Sequence, residues 1–136
     1  MGVLFKNTSV TIYNKYYDNL SGYDKYQRTI IENVDWQGKS NATVTDKGLL
    51  MADSVLIFVD KLANYISPKK FAILSDAARV NYFTLGMSDK VVKGVIDFEV
   101  TGLKPYSIAN LESIYDDVVN IISTRPLSDH WEVECK

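Results

Sequence analysis

The chain has 136 residues, 46% of them hydrophobic and 24% charged, which excludes global disorder and fits a single domain with its own core. A formal net charge of −2 leaves no basic excess to offset nucleic-acid phosphates. The lone cysteine, Cys135, excludes an internal disulfide and reads as a reduced bystander.

The opening stretch MGVLFKNTSV has an apolar run too short for a signal peptide, and Lys6 stands where an acylation motif on Gly2 needs Ser or Thr. Asn7-Thr8-Ser9 and Asn41-Ala42-Thr43 match the glycosylation sequon and read as accidental. Ser9 to Tyr17 alternates, with Val10, Ile12 and Tyr16 on one face and Thr11, Tyr13 and Tyr17 on the other, so a first strand is expected. The turn formers Asp18 to Gly22 then lead into a long second strand, Tyr23 to Trp36, which predicts a β-hairpin.

Gln37 to Asn41 reads as a polar loop, and Asp46-Lys47-Gly48 as a tight turn or a bulge. Asp53 to Asp60 contains the run VLIFV and predicts a strand buried on both faces. Lys61 to Ser67 suggests one helical turn, Pro68 an interruption, and Lys69 to Arg79 a short helix. Asn81 to Gly86 reads as a short strand followed by a turn at Ser88-Asp89. From Lys90 to Val100 the alternation is clean, with Val92, Ile96, Phe98 and Val100 opposite Lys93, Asp97 and Glu99, so a half-buried strand is expected.

Ser107 to Tyr115 predicts a helix, capped by Ser107 and striped by Ile108, Leu111, Ile114 and Tyr115. Val118 to Ser123 reads as a strand, Arg125-Pro126 as a turn, and Trp131, Val133 and Cys135, alternating with His130, Glu132 and Glu134, as a last strand. About seven strands and one short helix point to a mainly β fold, a small barrel or sandwich with long loops, forming one domain over residues 1–136.

Catalytic chemistry finds little purchase here. His130 is the sole histidine, so zinc sites of the usual kind are not expected, and no base–nucleophile pair or glycine-rich phosphate loop can be read. The expectation is a non-enzyme with no cofactor and no metal. The tyrosines of the first hairpin, with Tyr13, Tyr17, Tyr23 and Tyr26 singled out, lie near Lys15, Lys25 and Arg28. They read as cross-strand packing and a protein interface. The other reading is an OB-like barrel whose exposed rings stack single-stranded bases.

A set of segments carries a resemblance along nearly the whole chain. They are VTIYNKYYD (Val10 to Asp18), YQRTIIENVDWQGK (Tyr26 to Lys39), VTDKGLLMADSVLIFV (Val44 to Val59), YISPKKF (Tyr65 to Phe71), KVVKGVIDFEV (Lys90 to Val100) and HWEVECK (His130 to Lys136). In this order they resemble a family of small structural proteins of tailed phages and prophages of Gram-positive bacteria, found among the head–tail connector and minor capsid proteins. That family is similar in kind to head-closure or stopper proteins, which are small β-barrels carrying long loops. Where the family's ending has glycines, this chain has Glu134 and Cys135.

The resemblance implies a virion protein of the neck, assembled in the host cytoplasm as a six- or twelve-fold homo-oligomeric ring. Portal or adaptor and tail proteins would be its partners, DNA only a passing cargo, and no membrane would be involved. Gln37, Lys39, Ser40 and Asn41, polar and with little to pack on their own barrel, are the expected inter-subunit or portal contact.

Overall fold

The architecture follows from a computed structural model, which describes residues 7–45 and 48–136, with residues 39–45 and 48–53 described by their backbone alone. Six strands close into an antiparallel barrel in the order β1-β2-β3-β6-β5-β4. They are β1 (Thr8–Asp18), β2 (Tyr23–Thr45), β3 (Gly48–Asp60), β4 (Lys90–Lys93), β5 (Val118–Pro126) and β6 (His130–Cys135). Among the described residues three short helices interrupt them: α1 (Pro68–Ile73), α2 (Asp76–Arg79) and α3 (Ile108–Ile114). The chain is mainly β and the barrel is closed, as the strand-rich sequence predicts.

β2 is the organising strand. Its first half pairs with β1, from Asp18↔Tyr23 to Thr8↔Val34, and its second half pairs with β3, from Asp35↔Phe58 to Thr45↔Gly48. The change of partner falls beside Asn33, whose φ of 61° is left-handed. Asparagine tolerates that conformation better than most residues, so the strand can bend there and feed the other side of the barrel. The inside is filled by Val10, Ile12, Ile31, Val34, Trp36, Ile57, Val59, Val91, Ile121, Val133 and Cys135, with Phe83 and Leu85 added from the segment before β4. This packing is what alternation along a barrel strand demands.

A second cluster lies outside the barrel wall. Residues 94–117 run as a strap over β1, β2 and β4, and Ile96, Phe98, Val100, Ile108, Leu111 and Tyr115 pack onto Tyr13, Val92 and Tyr26. The centre of β1 is therefore buried on both faces. Thr11 pins the strap's start, its Oγ1 donating to the Gly94 carbonyl at 2.9 Å and accepting from Ile96 N–H at 3.1 Å. Arg28 Nε meets Glu99 Oε1 at 2.7 Å, and Arg28 Nη1 donates to the Ile96 carbonyl at 2.8 Å.

Several expectations need correction. Gln37 to Asn41 is not a loop but the continuation of β2, paired residue for residue with β3. The strand expected over Lys90 to Val100 ends at Lys93; Gly94, with φ of 96°, turns the chain off the sheet. Ile96, Phe98 and Val100 still face inward while Asp97 and Glu99 face solvent, so the alternation is real and the ladder is not. Asn81 to Gly86 is no strand: Phe83 makes a single bridge with Tyr65. Lys61 to Ser67 forms a turn rather than a helix.

Pro68 does not interrupt structure but starts α1 behind the Ser67 cap, where its missing N–H is harmless. Two short helices stand where one was expected. Arg125 and Pro126 belong to β5. Asp46 and Lys47, expected to turn or bulge, lie outside the described residues, although Thr45 and Gly48 on either side are paired. α3 matches expectation, with Ser107 as cap and Asn110 completing a capping box.

Candidate functional site: a free ribbon and an apolar barrel end

β6 accompanies β3 only from Val55 to Asp60, and β1 accompanies β2 only as far as Val34. Residues 38–45 of β2 and 48–54 of β3 thus pair with each other and, among the described residues, with no third strand. They form a two-stranded ribbon with a contour of about 25 Å beyond the barrel wall. Lys39, Ser40 and Asn41 lie on this ribbon, opposite Ser54, Asp53 and Ala52, and Gln37 lies at its root opposite Leu56. A closed barrel has no edges, and a free ribbon has two.

At its root β2 is met by a side chain. Asn7 N–H donates to the Val34 carbonyl at 3.0 Å, which continues the β1 ladder. The Asn7 side-chain amide then donates to the Trp36 carbonyl at 3.1 Å and accepts from Trp36 N–H at 3.0 Å. The same amide nitrogen also lies 3.1 Å from Asp35 Oδ1.

The other end of β2 carries a different surface. Leu20 and Tyr23 on the β1–β2 hairpin, Ile73 at the end of α1 and Leu103 on the strap are each 73% exposed or more, and Tyr17 stands beside them. Tyr17, Leu20 and Ile73 line one cleft, and Tyr23 and Leu103 line the next. The charges around them are already matched. Lys25 Nζ is 2.9 Å from Asp18 Oδ2, Lys15 Nζ is 3.4 Å from Asp24, and Arg79 pairs with Asp76 at 2.6 Å. The Lys25 contact, helped by Ser21 and Leu20 N–H, pulls the Asp18 carboxyl down to about 2. Exposed large apolar side chains beside ion-paired carboxylates favour an interaction surface over a site for an ion.

The four candidate tyrosines separate. Tyr13 is fully buried, its hydroxyl donating to the Phe98 carbonyl at 2.6 Å, and burial raises its pKa. Tyr26 is half-buried under the strap, while Tyr17 and Tyr23 are exposed at the hairpin end. Packing therefore claims the first pair and leaves the second for contact.

Sequence reading missed Asn7, Leu20, Ile73 and Leu103, and it missed a polar hub beneath the barrel. Asn14 Nδ2 donates to the Thr84 carbonyl and to Asp89 Oδ2, both at 2.7 Å, and Thr84 N–H donates back to Asn14 Oδ1 at 3.1 Å. Asp89 also accepts from Lys15 N–H at 3.0 Å and Gly86 N–H at 3.1 Å; burial raises its pKa while these donors oppose the rise. Asn14 and Asp89 carry no local motif that announces their pairing, because they meet across 75 positions of chain.

His130 Nδ1 lies 2.6 Å from Asp129 Oδ1, on a rim shared with Phe58. Among the described residues no group of three His, Cys, Asp or Glu is placed to hold a metal ion. Among them, too, no helix is long and apolar enough to cross a membrane. Cys135 is buried in the barrel, which pushes its thiol up to about 12.

The fold and its two surfaces define a class: a closed six-stranded barrel with a projecting β-ribbon at one end of its longest strand and an apolar patch at the other. The chain belongs to a family of unknown function, DUF6751, whose model matches residues 5–136. No curated protein and no solved structure matches it.

Proposed function

We propose that this chain is a structural subunit of the head–tail connector of a tailed phage, built as a ring that joins portal and capsid to tail, and that it carries out no chemistry. The observation that carries the reading is the ribbon of residues 38–45 and 48–54, which extends from an otherwise closed barrel and, among the described residues, pairs with no third strand. The sequence resemblance set out above supplies the setting. The apolar patch at the far end of β2 gives the subunit a second, distinct contact surface, as a link in a stack requires. Neighbouring subunits, the portal or adaptor and the tail are the partners, and the virion neck is the location.

A base-stacking role draws less support, since Tyr13 is buried and Tyr26 half-buried in the hairpin that would form the platform. The test is a reconstruction of the parent particle. A closed symmetric ring on the head–tail axis is expected. This chain found off that axis, or as one unsymmetrical copy, would overturn the reading.

A further inference from the structure

The alternation of hydrogen bonding along an antiparallel ladder settles which groups on the ribbon are unspent. Trp36 turns its N–H and C=O away from β3 and toward Asn7. Every second residue does the same. Gly38, Ser40, Ala42 and Val44 therefore direct their main-chain groups to the open side of β2. On β3, Trp36 faces Ile57, so Ile57 and Val55 turn toward β6, and Asp53, Met51 and Leu49 continue that row beyond the end of β6. Among the described residues each chain thus has one open row on β2 and another on β3.

Asn7 decides where the first row begins. Its main chain serves Val34, and the next rung, at Trp36, would ordinarily be served by a main-chain residue two places earlier. The Asn7 amide supplies that donor and that acceptor instead, as a peptide group would. We propose that Asn7 is an edge stop: its amide ends the chain's own ladder at Trp36 and so reserves the main-chain groups of Gly38 to Val44 for an extended strand of a second copy. The occupant is a second copy because the chain offers a matching row of its own, on β3. Pairing the β2 edge of one ribbon with the β3 edge of the next is a head-to-tail contact that can repeat from copy to copy. This rests on the ring reading and names the contact that would hold it together.

The test is sedimentation of the full-length chain from micromolar to millimolar concentration, with circular dichroism to confirm that each variant keeps its barrel. Concentration-dependent association is expected. Ser40→Pro with Ala42→Pro removes two outward N–H groups and leaves the β2–β3 ladder intact, so it should weaken association about tenfold or more. Asn7→Ala should weaken it by allowing the chain's own first residues to compete for the edge, and removing residues 1–6 from that variant should restore it. Association insensitive to the two prolines would overturn the edge contact and leave the ring reading standing. A weakening by Asn7→Ala that the deletion does not reverse would overturn the stop. A chain that stays monomeric at millimolar concentration would overturn this inference, while the particle reconstruction judges the ring itself.

Discussion

Asp89 shows what a single buried carboxylate does for this barrel. It sits between the turn at Met87-Ser88 and β4 and receives three N–H donors, from Asn14, Lys15 and Gly86, so it fastens β1 to the segment that leads into β4. Asp89→Asn keeps the shape but turns an amide N–H₂ toward donors, and it should cost about 2–3 kcal/mol in chemical denaturation. At Asn33 the backbone, not the side chain, sets the requirement. Asn33→Val should cost about 1–2 kcal/mol, and Asn33→Gly should be tolerated, because only the β-branched residue is excluded from the left-handed region. Neither role was legible in the sequence. A left-handed φ and a three-donor carboxylate are defined by neighbours up to 75 positions away, and the residues themselves are ordinary turn formers.

At the scale of elements, the β1–β2 hairpin and the strap make separate demands. The Asp18–Lys25 pair closes the hairpin, and its effect has a definite sign. The Asp18 carboxyl is depressed in the fold, so its contribution is complete above the ordinary carboxylate value near 3.8 and is lost as pH falls toward about 2. A stability profile measured between pH 5 and 2 should fall in the parent chain and be flatter in Asp18→Asn. The strap is held by the Tyr13 hydroxyl as well as by apolar contact. Tyr13→Phe should cost about 1 kcal/mol and speed amide exchange in residues 95–100 more than in β1.

These two elements also show how far periodicity reaches. In the strap it correctly separated Ile96, Phe98 and Val100 from Asp97 and Glu99, because any extended segment lying on a surface alternates. It could not report a missing neighbour strand, and Gly94 turns the chain before one can form. The opposite error fell on Gln37 to Asn41, where the strand was hidden behind loop-like composition: polar residues without alternation read as a loop, while the β3 partner that makes them a strand lies across the hairpin.

For the whole molecule, the sequence made a mainly β fold legible through its strand-forming composition and scarce helices; the stripe at β6 fell where expected, whereas the centre of β1 is buried on both faces and Ile114 of the α3 stripe is exposed. The docking surfaces were not legible. Leu20 and Ile73 share a cleft only because a hairpin and a helix end converge there, Leu103 lines a separate cleft with Tyr23, and nothing in the sequence around them announces that each is left exposed. The patch should be dispensable for folding and needed for assembly. Leu20→Asp with Ile73→Asp, both far out in solvent, should shift stability by no more than about 0.5 kcal/mol each. The same pair should block incorporation into particles, read as loss of this chain from purified virions; normal incorporation would remove the patch from the contact surface.

The barrel's circle is joined by its smallest member. β4 is four residues long, yet it alone links β1 to β5. The hairpins β1–β2 and β5–β6 join strands close in sequence, whereas the rung Val55↔Cys135 of β3 and β6 and the rung Val10↔Lys93 both bring together residues far apart along the chain. Loop-closure entropy makes these two seams the late contacts in folding. With four rungs on β1 and three on β5, β4 is the shorter of these seams and the clasp expected to open first, so its amides should exchange through an opening of lower free energy than those at the middle of β2. A subunit with such a clasp can breathe along one seam while the rest of its wall stays shut.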